Sequence, residues 1–231
     1  MFNRAAAFML SRARTFFVAG YTYNGESGVT VERAISLAGG VPGDLAVIHY
    51  PQSQNDQGIS GGDGGWTSVQ QSSGSNGFAF TKWKRVTAGD ISAAQAGTLK
   101  VVWTNSTLAY TQVFVAIYRG RGPLTPTFKL TGSLSGDDPH TYSGFTPDAN
   151  HAGVLAILNQ WDSGGAAIPA AATETAAGLS SRLSATMPVA SGIPQRSQLL
   201  DRLEGYAGGG MSFDKASGYN GRLTIIELTV P

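Results

Sequence analysis

Phe78, Phe80, Lys82 and Lys84 alternate with Ala79, Thr81, Trp83 and Arg85, a period of two that places successive side chains on opposite faces of a strand. Runs of this kind recur along the chain, separated by turns rich in Gly, Ser and Asn. Leu45 to Tyr50 is a mostly apolar run entered through Pro42-Gly43-Asp44, and Val154 to Trp161 is a second one, also entered through a glycine. Trp66 to Gln71, Leu99 to Trp103 and Tyr110 to Tyr118 read as further strands, with Leu99, Val101 and Trp103 on one face. Phe17 to Tyr23, the dipeptide Asn24-Gly25 and Val29 to Ile35 predict a first hairpin. Thr127 to Leu134 reads as a short edge strand, His140 to Phe145 as another strand, and Gln198 to Tyr206 as a strand or a helical turn. Arg222 to Val230 closes the pattern, Thr224, Ile226, Leu228 and Val230 sharing a face.

Three stretches depart from this alternation. Residues 1–17 carry Ala5, Phe8, Met9, Ala13, Phe16 and Phe17 at near-helical spacing with Arg4, Arg12 and Arg14 between them, which predicts a short amphipathic arm. Such an arm either packs on its own domain or docks on a neighbouring subunit, with Phe2, Arg4, Phe8, Arg12 and Arg14 as the contact residues. Thr87 to Gly97 reads as a polar and alanine-rich connection, and Ala166 to Pro194 as a low-complexity excursion with room for one or two edge strands. The expected fold is all-β: a two-sheet antiparallel sandwich, jelly-roll-like, spanning residues 18–231 as one domain behind the arm.

Composition sharpens this picture. Only 13% of the 231 residues are charged, against about 25% in ordinary globular proteins. Like charge keeps freely diffusing molecules apart, so a surface this poor in ions suits a component of an assembly. A net charge of +1 gives no global attraction to nucleic acid, which is not an expected partner. The absence of cysteine removes disulfides, thiolate metal sites and cysteine nucleophiles. Arg12 and Arg14 interrupt the apolar stretch near Met1, so neither an export signal nor membrane insertion is expected.

Candidate chemistry is sparse. Gly58-Ile59-Ser60-Gly61-Gly62 matches Gly-x-Ser-x-Gly, but the pattern needs a strand before it and a helix after it, whereas here it lies in a glycine-rich loop. Ser212 and Lys215 match Ser-x-x-Lys without an evident helix to bring them together. His49, His140 and His151 lack the spacing of paired metal ligands, and read as structural histidines. Asp56, Asp63, Asp137 and Asp138 lie in loops that could gather around calcium, in no recognised spacing. Trp66, Trp83, Trp103, Trp161, Tyr110 and Tyr118 are core aromatics or a sugar-stacking platform, Trp66 being the candidate glycan contact. Lys82, Lys84 and Arg85 are split by alternation across two faces. No catalytic residue, metal site or cofactor is assigned.

Four ordered elements carry a resemblance. They are Pro42-Gly43-Asp44-Leu45-Ala46-Val47, Gly65-Trp66-Thr67-Ser68-Val69, Phe80-Thr81-Lys82-Trp83-Lys84-Arg85-Val86-Thr87-Ala88-Gly89-Asp90 and Ala116-Ile117-Tyr118-Arg119-Gly120. In order and spacing the segment 43–120 resembles a pattern found among tail, fibre and other virion-associated proteins of tailed bacteriophages, and Arg222 to Val230 fits its usual end. The resemblance implies a non-enzymatic β-sandwich building block, made in the bacterial host cytoplasm and located in the virion. Its expected partners are other virion proteins and further copies of itself. The alternative expectation is a carbohydrate-binding module that attaches the particle to a host surface glycan. The arm and the alanine-rich excursion lie outside the pattern.

Overall fold

The structure is a computed structural model and describes residues 15–25, 30–52, 65–72, 78–104, 111–133, 139–161, 170–186, 195–214 and 220–231. In the first part of the chain the strands are β1 (Phe16–Gly25), β2 (Thr30–Ala34), β3 (Leu45–Gln52), β4 (Thr67–Ser72), β5 (Phe78–Arg85), β6 (Lys100–Thr104) and β7 (Thr111–Arg119). A helix, α1 (Ala88–Gln95), lies between β5 and β6. The second part contains β8 (Thr125–Ser133), β9 (His140–Tyr142), β10 (His151–Trp161), β11 (Thr173–Glu174), β12 (Ser180–Thr186), β13 (Gln195–Arg202), β14 (Met211–Asp214) and β15 (Asn220–Thr229).

The fold is all-β, with antiparallel sheets. One five-stranded sheet has the order β1-β7-β3-β5-β4 and a second has β12-β13-β10-β15-β8. A pair β2-β6 and a triplet β11-β14-β9 complete the topology. The two large sheets face each other: Leu45, Val47, Ala116 and Tyr118 of the first pack with Leu155, Ile157, Leu199, Ile226 and Leu228 of the second. Gly20 is part of this contact, since a Cβ there would lie 2.6 Å from Leu183.

Each large sheet is also covered on its outer face. Ala46, Ile48, Val113, Val115 and Ile117 meet Ile35, Leu37, Val86, Leu99 and Val101 of the β2-β6 layer and its flanks. Val154, Ala156, Leu158, Leu223 and Ile225 meet Ala172, Leu179, Tyr206, Met211 and Phe213. This burial on both sides explains why the strands running from Leu45 and Val154 are almost continuously apolar: neither face of residues 45–49 or of residues 154–160 reaches water. Part of the alanine-rich stretch contributes to the outer cover through Ala172, Ala177 and Leu179, and part forms the edge strand β12. Glu174 holds that cover in place by accepting from the amides of Ala176 (2.8 Å), Ala177 (2.5 Å) and Leu179 (3.1 Å).

Three expectations need correction. β1 and β2 do not form a hairpin; β1 pairs with β7 and β2 with β6. β7 is buried on both faces and needs a neighbour at each edge, and β1 and β3 supply them. Thr87 to Gly97 is not an irregular connection, because a capping box starts α1: the Thr87 hydroxyl accepts from the Asp90 amide (3.1 Å) while the Asp90 carboxylate accepts from the Thr87 amide (2.9 Å). Finally, β1 begins at Phe16, one residue before the expected strand start at Phe17. Thr125–Ser133 is an edge strand as expected, and Gln195–Arg202 resolves to a strand.

Candidate functional site

The ordered elements of the 43–120 segment meet in space. Asp44, buried at the entrance to β3, takes a two-pronged ion pair from Arg119 at the end of β7, with Nε–Oδ1 and Nη2–Oδ2 both 2.7 Å. The Asp44 carboxylate also accepts from the Val41 amide at 2.8 Å, so one side chain ties the turn before β3 to the end of β7. On the outer face, Lys84 donates to Asp90 at 2.5 Å and its Nζ stands 5.5 Å over the Trp66 ring. Burial raises the Asp90 carboxyl, but the bonds from Lys84 and Thr87 outweigh it and hold the pKa below the usual carboxylate value.

A solvent-open cleft of about 550 Å³ lies where β1 begins, β7 hands over to β8, and β15 ends. Thr15, Arg121, Asn150, His151, Glu204 and Pro231 line it. Glu204 has a φ of +67°, in the region that favours glycine. Its carboxylate accepts from the Thr15 amide at 3.2 Å and its own amide donates to Ala152 at 3.3 Å. These bonds hold the strained residue at the lip of the cleft.

Behind the cleft lies a charged cluster. Glu227 is fully buried on β15; its Oε1 accepts from His151 Nδ1 (2.7 Å) and the Asp148 amide (2.9 Å), and its Oε2 forms an ion pair with Lys129 Nζ at 2.6 Å. Lys129 also pairs with Asp148 at 3.1 Å. The interaction with the Glu227 carboxylate is the main reason the Lys129 ammonium is held above its ordinary pKa. With Nδ1–H given to Glu227, the Nε2 atom of His151 is buried and has no partner among the described residues. The cluster orients an imidazole against the cleft and ties the 148–151 turn to β8 and β15.

A smaller cleft of about 250 Å³ lies between Ser36–Gly40 and the α1 residues Ile91, Ala94 and Gln95. Tyr21 donates to the Ala38 carbonyl (2.9 Å) and Tyr23 accepts from the Ser36 amide (2.6 Å), fixing its rim.

No protein-family model matches the chain, and no curated protein resembles it significantly.

The candidate docking residues Phe2, Arg4, Phe8, Arg12 and Arg14 lie outside the described residues, as do Ser60, Tyr110 and the loop carboxylates Asp56, Asp63, Asp137 and Asp138. Trp66 is half-buried against the outer core, with its indole nitrogen enclosed and Lys84 over its ring. Trp83 and Tyr118 pack between the large sheets. Trp103 and Trp161 stand on β6 and β10. Ser212 is on strand β14. His49 is buried between β3 and β5 and bonds to Thr81 at 2.9 Å, and burial lowers its pKa to about 3. His140 packs against Tyr142, ring centres 4.9 Å apart. Among the described residues no group of three His, Asp or Glu converges as metal ligands. Sequence reasoning missed Glu227 and Glu204. Glu227 offered one signal, as an acid between Ile226 and Leu228 in the closing strand; Glu204, next to Gly205, offered none.

Proposed function

We propose that the protein is a non-enzymatic structural component of a tailed-bacteriophage particle, at a tail, neck, fibre or capsid-decoration position, acting through contacts with other virion proteins and with copies of itself. We further propose that each large sheet with its outer cover is a jelly-roll-like layer pair. The observation that carries the reading is where the few charges are placed. Asp44, Glu227 and Asp201 have side chains at most 2% exposed, and Lys84 and Asp90 are nearly buried with each other. Charges paired inside the fold do not repel neighbouring molecules, and the chain has few others, since only 13% of its residues are charged. The ordered resemblance over 43–120 adds support, because its first and last elements are the two ends of the Asp44–Arg119 pair.

The test is quantitative mass spectrometry of density-purified phage particles, with this chain measured against the major capsid protein. A fixed ratio is expected. A ratio near one favours decoration, a few per cent favours tail, neck or fibre, and absence from particles refutes the proposal.

A further inference from the structure

The two large sheets have one topology. Read from β1, the first sheet runs β1-β7-β3-β5-β4; read from β8, the second runs β8-β15-β10-β13-β12. Matching strands in chain order, β1 to β7 correspond to β8, β9, β10, β12, β13, β14 and β15. The outer pair β2-β6 then corresponds to the outer pair β9-β14, which is also observed.

The correspondence extends to single residues. Leu45 pairs with Tyr118 and Arg85; Leu155 pairs with Ile226 and Asp201. Aligning these two leucines superposes Gly43-Asp44-Leu45-Ala46-Val47-Ile48 on Gly153-Val154-Leu155-Ala156-Ile157-Leu158. It also superposes two irregularities. β1 is bulged after Phe17, opposite Tyr118 and Ile117, and β8 is bulged after Phe128, opposite Ile226 and Ile225. Both bulges follow a phenylalanine at the same register. Four strand positions on, a buried polar pair recurs: His49 with Thr81 at 2.9 Å, and Asn159 with Ser197 at 3.1 Å.

The packing follows the symmetry that two equal units would have. β1 lies against β12, and β4 lies against β8. Since β12 corresponds to β4 and β8 to β1, these are one contact made twice, the signature of a two-fold interface. Each unit is also closed on itself. Its first strand pairs with its last, Phe16 opposite Arg119 and Thr125 opposite Thr229, so its two ends are adjacent. The joint, residues 120–124, is tight: a Cβ at Gly120 would lie 2.7 Å from Leu124.

We infer that the chain is two copies of one seven-strand unit joined end to end, and that the inner sheet face of each unit is a docking surface whose partner is the other unit. The two faces have diverged to favour this pairing. Where the second unit has Asp201, beside Tyr118 and Arg182 in the interface, the first has Arg85, which reaches the Leu124 carbonyl at 3.3 Å. Pairing the second unit with itself would set the Asp201 carboxylate against Ile226, the counterpart of Tyr118, so mixed pairing is favoured over self-pairing.

The experiment uses the full chain with a protease site inserted between Gly122 and Pro123, and a control chain with the same site between Gly97 and Thr98, in the turn after α1. Each is cut while folded, unfolded in urea, and returned to native buffer by dialysis. Size-exclusion chromatography with near-ultraviolet circular dichroism then reads reassembly. The chain cut at the joint is expected to regain the 24.0 kDa particle and its tertiary signal, because each fragment carries a whole unit and its docking face. The control is expected not to, because its first unit is divided. Equal recovery in the two cut chains, or failure of the chain cut at the joint, would overturn the inference.

Discussion

Replacing Glu227 by leucine tests whether the cluster behind the large cleft contributes to the stability of the second half. The carboxylate is fully buried, pairs with Lys129 Nζ at 2.6 Å, and accepts from His151 Nδ1 and the Asp148 amide at 2.7 and 2.9 Å. Removing one partner of a buried ion pair costs about 3–5 kcal/mol, since the other charge is left desolvated. Lys129 keeps 18% side-chain exposure and a second carboxylate at Asp148, which places the ion-pair loss near the lower bound, about 3 kcal/mol. The two orphaned donors add about 1 kcal/mol each. The expected loss for E227L is therefore about 5 kcal/mol, which lowers a urea midpoint by about 2 M. A cycle with K129M separates the ion pair from the two orphaned donors: with both charges gone the double variant should recover at least about 1.5 kcal/mol relative to additivity. An E227L loss below about 1 kcal/mol, or an additive cycle, would refute the reasoning.

His49, with a pKa lowered to about 3 by burial, refuses a proton that the unfolded chain accepts below about pH 6.5. The unfolded state binds more protons in that window, so stability falls with pH from about 6.5 towards 3, by at most about 1.4 kcal/mol per pH unit. His49→Asn, which installs the residue found at the matching position Asn159, should remove this component: melting temperatures at pH 7 and pH 4.5 should differ less in the variant than in the wild type, and an unchanged difference would refute the assignment. Gly144 has a φ of +74°, and a Cβ there would overlap the Gly209 backbone and approach the Tyr206 hydroxyl to 3.1 Å. G144A should cost about 2 kcal/mol or more. Gly43, with a φ of +98° but nothing within 4 Å, provides the comparison: G43A should cost about 1 kcal/mol, and thermal melts that rank the two variants the other way would contradict the packing of the 143–147 turn.

The sequence made visible what local pattern controls. The continuous apolar runs at Leu45–Tyr50 and Val154–Trp161 mark strands covered on both faces, and Phe78–Arg85 alternates as a strand should. Helix α1 was legible in principle, since Thr87 and Asp90 stand at capping-box spacing, but Gly89 and the lack of large apolar residues other than Ile91 obscured it. Asn24-Gly25 misled because hairpin propensity is local, whereas β1 is claimed by β7 from the far end of its unit. Asp44–Arg119 and Lys129–Glu227 join residues far apart in the chain, and no spacing rule reveals such pairs. The repeated topology was faintly visible in the two glycine-led apolar strands. Elsewhere the halves share register and burial rather than residue identity, as Tyr118 and Ile226 illustrate.

The pairing of each first strand with its last has a consequence during synthesis. β1 cannot be fully paired until β7 has left the ribosome, so the first sheet closes only after about half of the chain has been made. At about 5–20 residues per second, the remainder takes about 5–20 s to emerge. For that interval the apolar inner face bearing Leu45, Val47, Ala116 and Tyr118 has no second sheet to cover it. Nascent chains on one messenger should then be most prone to associate while the second half is being translated, and slowing elongation after residue 124 should lower the soluble yield.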